Sequence, residues 1–130
     1  MIRRLWKGER GQALVEMALV LPLLFLLLFG VIEMGRVGYA YITVNNAARA
    51  GARVASIGAV NSVIESSIYD AAFSLDSLTY DIVPYLLENR QSGQQVTVQV
   101  TYPVQLVIPI ISNVITNPVV VSSKVIMRLE

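Results

Sequence analysis

The sequence predicts an α+β protein: a long N-terminal helix whose first half crosses a membrane, followed by a small domain of one short helix and a few antiparallel strands. Three features carry that assignment. Residues 11–32 read GQALVEMALVLPLLFLLLFGVI, with Glu16 the only charge. Beyond them, small and apolar residues recur at steps of three and four to about Ser56 without a proline. In the final third the period drops to two, as in QVTVQVTY at residues 95–102.

At about 1.5 Å of rise per residue, some twenty helical residues cross roughly 30 Å, the thickness of a bilayer's hydrocarbon core. Residues 12–32 are therefore the transmembrane half of a helix reaching residue 57. Ahead lies a leader, residues 1–11, in which Arg3, Arg4, Lys7 and Arg10 face one acid, Glu9. That loading holds the N-terminus in the cytoplasm and sends residues 58–130 across. Short and polar, the leader suits a flexible segment more than a folded one. A secretory signal peptide is the alternative, but the apolar run is too long for one, and the nearest small-x-small site, Ala48-Arg49-Ala50, lies far beyond it.

Within the span, Pro22 removes the amide that pairs with the Ala18 carbonyl and crowds that turn, which predicts a kink. Glu16 costs on the order of 2.5 to 3.5 kcal/mol if it sits deep in lipid. As an acid near a helix start it is eased by the helix dipole. A cut after Gly11 offers a second account: Gln12 becomes the amino terminus, and Glu16, one turn in, pairs with the α-ammonium of its own chain or a neighbour's.

Past the span, Glu33 and Arg36 mark where the helix leaves lipid for water. Val37, Tyr41, Val44, Ala48, Gly51 and Ala55 fall on one face, and Asn45, Arg49 and Arg53 on another. The two arginines are either a solvated row or a contact for acidic groups on a partner. Glycines 30, 35, 38 and 51 cost helix propensity but admit close neighbours. Gly58 breaks the helix. Ser62 with Glu65 is a capping-box pattern, opening a second helix whose stripe of Val60, Ile64, Ile68, Ala71, Ala72 and Leu75 runs to about Leu78. Strands follow at 80–87, shortened or placed at an edge by Pro84, at 95–102 after a turn in 88–93, and at 119–129, with Val121, Ser123, Val125, Met127 and Leu129 inward. Residues 103–118 form a proline-broken apolar loop with a short helical turn, suited to a subunit contact.

Composition removes whole classes of chemistry. The chain has no cysteine and no histidine, so it lacks disulfides, thiolate ligands and the commonest general base. A formal charge of +1 gives no case for nucleic acid. Ser66, Ser67 and Asp70 lack a base, and Asp76 with Asp81 lacks the oxygen density of a calcium loop. The expectation is a non-enzyme with no catalytic residues, no metal and no cofactor.

Gly11 followed by QALVEMALVLPLLFLLL resembles the cleavage segment of class III type IV prepilins and, more narrowly, of the TadE-like pseudopilins of tight-adherence (Tad, Flp) pilus systems. The run Asn46-Ala47-Ala48-Arg49-Ala50-Gly51-Ala52-Arg53 strengthens the likeness, which covers residues 11–55. Met17 departs from it, standing where the prepilin motif carries an aromatic. The resemblance implies a type IV pilin-like fold in the inner (plasma) membrane, cut between Gly11 and Gln12 by a prepilin peptidase. It further implies Glu16 in subunit pairing and a helix that loosens at Pro22 on passing from bilayer to filament. Its partners are other pilin or pseudopilin subunits, the pilus inner-membrane platform and membrane lipid. An unprocessed single-pass scaffold of a secretion or pilus machine is the alternative, and a small secreted binding module a third.

Overall fold

A computed structural model of the chain describes residues 5–109 and 113–130; Arg3 and Arg4 of the leader, and the middle of the 103–118 loop, lie outside the described residues. The elements are α1 (Leu5–Ser56), α2 (Asn61–Ala71), β1 (Thr79–Val83), a 3-10 turn (Leu87–Asn89), β2 (Gln95–Val104) and β3 (Val119–Arg128). The strands form one antiparallel sheet in the order β1-β2-β3. With the long N-terminal helix, this is the α+β architecture. The chain divides into two compact units, Met1–Met34 and Gly35–Glu130.

α1 begins at Leu5, inside the leader expected to be flexible. The cause is local: Leu5, Trp6, Lys7, Glu9 and Arg10 all tolerate helix, and no proline intervenes before Pro22. Pro22 itself lies within α1, which is assigned as helix on both sides of it.

In the Gly35–Glu130 unit, α1 lies against the sheet and α2. Its buried line is Ala40, Val44, Ala47, Ala48, Gly51, Ala52 and Ala55. Tyr41, expected on that face, is 54% exposed, and Ala40 takes the inward place. Steps of three or four from Val37 reach either residue, and only the alanine fits under the sheet. Gly51 shows how tight the fit is: a Cβ there would stand 2.6 Å from Ile68 Cγ1 and 3.3 Å from Val98 Cγ1. Polar ties run along the same stretch. Arg36 Nη2 donates to the Gln105 carbonyl (3.2 Å), Ser123 Oγ to Asn45 Oδ1 (3.1 Å), and the Glu130 amide to the Ser56 carbonyl (3.0 Å). The lengths agree, since twenty helical residues and a ten-residue strand both extend roughly 30 Å.

α1 closes at Gly58, whose φ of 75° suits glycine and whose amide donates to the Ala55 carbonyl at 3.0 Å. α2 begins two residues earlier than a Ser62 cap requires. Val60 is the N-cap and no side chain caps it, so the capping box does not form. Glu65 instead lies close enough to the Tyr80 hydroxyl on β1 to hold it protonated. Tyr69 meets the Tyr80 ring edge-on, centroids 6.1 Å apart. Ile64 and Ile68 are fully buried, while Val60 is exposed. α2 ends at Ala71, short of Leu78, yet Ala72, Leu75 and Leu78 still reach the core.

β1 stops at Val83, immediately before Pro84, and sits at the sheet edge, where proline's missing amide is harmless. β2 alternates as expected: Val96, Val98 and Val100 are buried, with Val98 facing Ile82 on β1 and Val125 on β3. β3 points Val121, Ser123, Val125 and Met127 inward, and Leu129 beyond its end is buried. Arg90 ties the turn after β1 to the start of α2. Its guanidinium donates to the Pro84 carbonyl (2.9 Å), the Ala59 carbonyl (2.9 Å), the Tyr85 carbonyl (3.2 Å) and Asn61 Oδ1.

The close approach at Gly51 makes that site intolerant. Because Ile68 is fully buried and cannot swing away, Gly51→Ala is expected to destabilise by about 1 to 3 kcal/mol, the usual cost of overpacking. Gly38→Ala, in open space, is expected to be neutral or stabilising; denaturant titration of the full chain in detergent separates the two.

Burial and then the Glu65 carboxylate push the Tyr80 hydroxyl from 10.0 up to about 12. The fold favours the neutral phenol, so its contribution is complete below pH 10.0 and lost as pH rises to about 12. Tyr80→Phe is therefore expected to flatten that part of the stability curve, measured as unfolding midpoints of both proteins across the same alkaline series.

Candidate functional site

The segment most in need of a partner is the first part of α1. From Gly11 onward α1 is long and apolar enough to cross a membrane, with a mean hydropathy of 2.6 over its most apolar window and none of that window buried. Leu14, Leu19, Leu23, Leu27 and Val31 are all exposed, and so are the residues between them except the half-buried Gly30. A helix apolar all round has no water-facing side, and lipid or other apolar helices are its natural surroundings.

Gly11 and Gln12 lie within helix, and a Cβ on Gly11 would meet nothing within 4 Å. The chain's own packing therefore does not require glycine there. Gly30, Gly35 and Gly38 are equally open, whereas Gly51 is required by the core. Glu16 is exposed on the helix surface, the single acid in an apolar stretch. Met17 beside it is exposed too.

Glu33 is buried, 4% exposed. The row of Asn45, Arg49 and Arg53 divides. Asn45 is drawn inward to Ser123, while Arg49 and Arg53 are exposed and their guanidinium groups have no hydrogen-bond or ion-pair partner among the described residues. Spacing placed the three together but could not show that one of them meets β3, because that contact depends on strand register. The Arg36, Arg90 and Asn117 ties also escaped sequence reasoning, since all but the Arg90–Asn61 bond end on a backbone carbonyl or amide that leaves no mark in the residue pattern.

The sheet carries a shallow groove lined by Thr79, Tyr80, Asp81, Gln99 and Thr101. Among the described residues no group of three or more acids could hold a metal ion.

The family model described as TadE-like protein matches residues 11–53, from the exposed glycine through the second exposed arginine. No curated protein and no solved structure matches the chain significantly.

Proposed function

Starting from the TadE-like segment at residues 11–53, we propose that this chain is a minor pilin or pseudopilin of a Tad-type pilus, acting in pilus assembly or initiation. The observation that carries this is the helix exposed on all its apolar sides from Gly11 onward, with a lone acid at Glu16. Such a helix suits both lodgings a pilin needs: first lipid, then the packed helices of a filament. We take the chain to be a substrate of an enzyme, the prepilin peptidase, and not an enzyme itself. Its C-terminal domain lies outside the cytoplasm, and Arg49 and Arg53 meet acidic groups of neighbouring subunits or of the inner-membrane platform.

Cleavage between Gly11 and Gln12 removes a leader of net charge +3 and takes the chain from +1 to −2. It leaves an ammonium at Gln12, one turn from Glu16. In a packed filament the ammonium of one subunit and the Glu16 carboxylate of the next are poorly screened, so the pair sets register. The unprocessed scaffold is supported by one observation, the helix that runs through the Gly11–Gln12 bond, since a peptidase must unwind that turn to cut it.

The identity of the mature first residue distinguishes them: Gln12 for the pilin, Met1 or Ile2 for the scaffold. Gly11→Val is expected to leave only the longer form on a blot. Gly11 touches nothing in its own chain, so that outcome reports on the peptidase and not on folding; normal maturation of the variant would place the cut elsewhere.

Glu16→Gln is expected to be cleaved and inserted normally but to lose association with other pilins. The unpaired ammonium costs about 3 to 5 kcal/mol, typical of breaking a buried pair. Glu16→Asp should fall between, and co-purification of partner subunits with each variant is the measurement. Equal recovery from wild type and Glu16→Gln would leave the acid as a helix-start residue only.

A further inference from the structure

Resting on the reading that this chain assembles with other subunits, we infer that the neighbour of its basic helix face is a second copy of the chain, with Arg49 on α1 of one copy paired to Asp70 on α2 of the next. Charge is divided along the chain to suit this. From Gly35 to Ile64 the charged residues are Arg36, Arg49 and Arg53; from Glu65 to Glu88 they are Glu65, Asp70, Asp76, Asp81 and Glu88. Within the Gly35–Glu130 unit, then, α1 carries only bases and α2 only acids.

The two helices present these charges on outward faces. Ile42, Asn46, Arg49 and Arg53 are exposed at steps of four, three and four, on the side of α1 opposite its alanine line. Ser62, Ser66, Asp70 and Phe73 are exposed at steps of four, four and three, on the side of α2 opposite the buried Ile64 and Ile68. From Ile42 to Arg53, and from Ser62 to Phe73, each row rises about 16 Å. The Asp70 carboxylate, like the guanidinium groups of Arg49 and Arg53, has no hydrogen-bond or ion-pair partner among the described residues. Inside one copy the rows do not meet, because each lies opposite the side on which its own helix packs.

Height along the helices decides which groups face each other. α2 runs back along α1: the chain turns at Gly58, Ile68 packs at Gly51, and Ser74 beyond α2 meets Tyr39, their hydroxyl oxygens 2.8 Å apart. With Ile68 level with Gly51, every residue back along α1 matches one onward along α2. Asp70 is then level with Arg49, Ser66 with Arg53 and Phe73 with Asn46. A second copy pointing the same way at the same height sets its Arg49 beside Asp70, and Phe73, 86% exposed, finds cover against Ile42 and Asn46. An ion pair flanked by an apolar contact is partly shielded from water, which favours the opposite charges over any other pairing of these faces. Two different faces meet, so the contact is heterologous: each copy keeps one face for the next, and the series stays open unless its rotation closes a ring.

The chain has no cysteine, so single cysteines in the full-length protein report the contact by cross-linking. Two differently tagged forms, Asn46→Cys and Phe73→Cys, are co-expressed, and the isolated membranes are treated with a short bismaleimide. The product is expected between positions 46 and 73 of different copies; products joining like positions instead indicate a two-fold contact and overturn the inference. Arg49→Glu added to the Asn46→Cys form, or Asp70→Lys added to the Phe73→Cys form, is expected to lower the yield about fivefold by setting like charges together, and both changes at once to restore it. Loss without recovery in the combined pair shows that the two charges do not face each other, and the pairing is then wrong. If Arg49→Glu strips another pilin from the purified protein while no 46–73 product forms, the basic face belongs to that pilin and not to a second copy. The first residue of the mature chain, determined on the same membranes, keeps this test apart from the pilin reading. Gln12 without the 46–73 product leaves the pilin reading and removes the contact, whereas the product on chains that begin at Met1 keeps the contact and removes the pilin reading.

Discussion

A helix that lies as near to a sheet as α1 lies to β2 leaves no room for ordinary side chains between them. At Gly51 the gap is already filled by Ile68 and Val98, and the neighbouring inward positions are almost all alanine. The fold accepts the poor helix propensity of glycine there, up to about 1 kcal/mol, because the closeness lets β2's valines and α2's isoleucines meet across a thin core. The other elements take their places from that approach. α2 reaches the same core with Ile64 and Ile68, and β1 and β3 flank the valine-bearing strand.

The two ends of the sheet are held by different means. Near Ser56 a single guanidinium, Arg90, gathers acceptors from the linker, the start of α2 and the turn after β1. Near Arg36 the ties come from several side chains: Arg36 to the Gln105 carbonyl, Tyr39 to Ser74, and Asn117 to the backbone of Leu106.

Much of the fold was legible in the residues. The span, the helix to Ser56, the glycine stop and the alternation of β2 follow from pattern alone, because burial on one face writes itself into the sequence. What was not legible had competing local solutions. Tyr41 and Ala40 share a helical stripe, and only the sheet's proximity chooses between them. Ser62 and Glu65 have the right spacing for a capping box, but Tyr80 offers Glu65 a partner from a distant strand. At the candidate site, Gly11 and Glu16 stood out by type and position, whereas the inward turn of Asn45 required a strand register that no motif announces.

The three ties along α1, at Arg36, Asn45 and Ser56, have a mechanical meaning. They are spread along the helix and all end on β2, β3 or the residues just beyond those strands. A force pulling α1 along its axis therefore loads them together, in shear, along with the close-packed alanine seam. None can be opened first and the rest unzipped in turn. A unit built this way resists being drawn out by its helix far better than being peeled sideways.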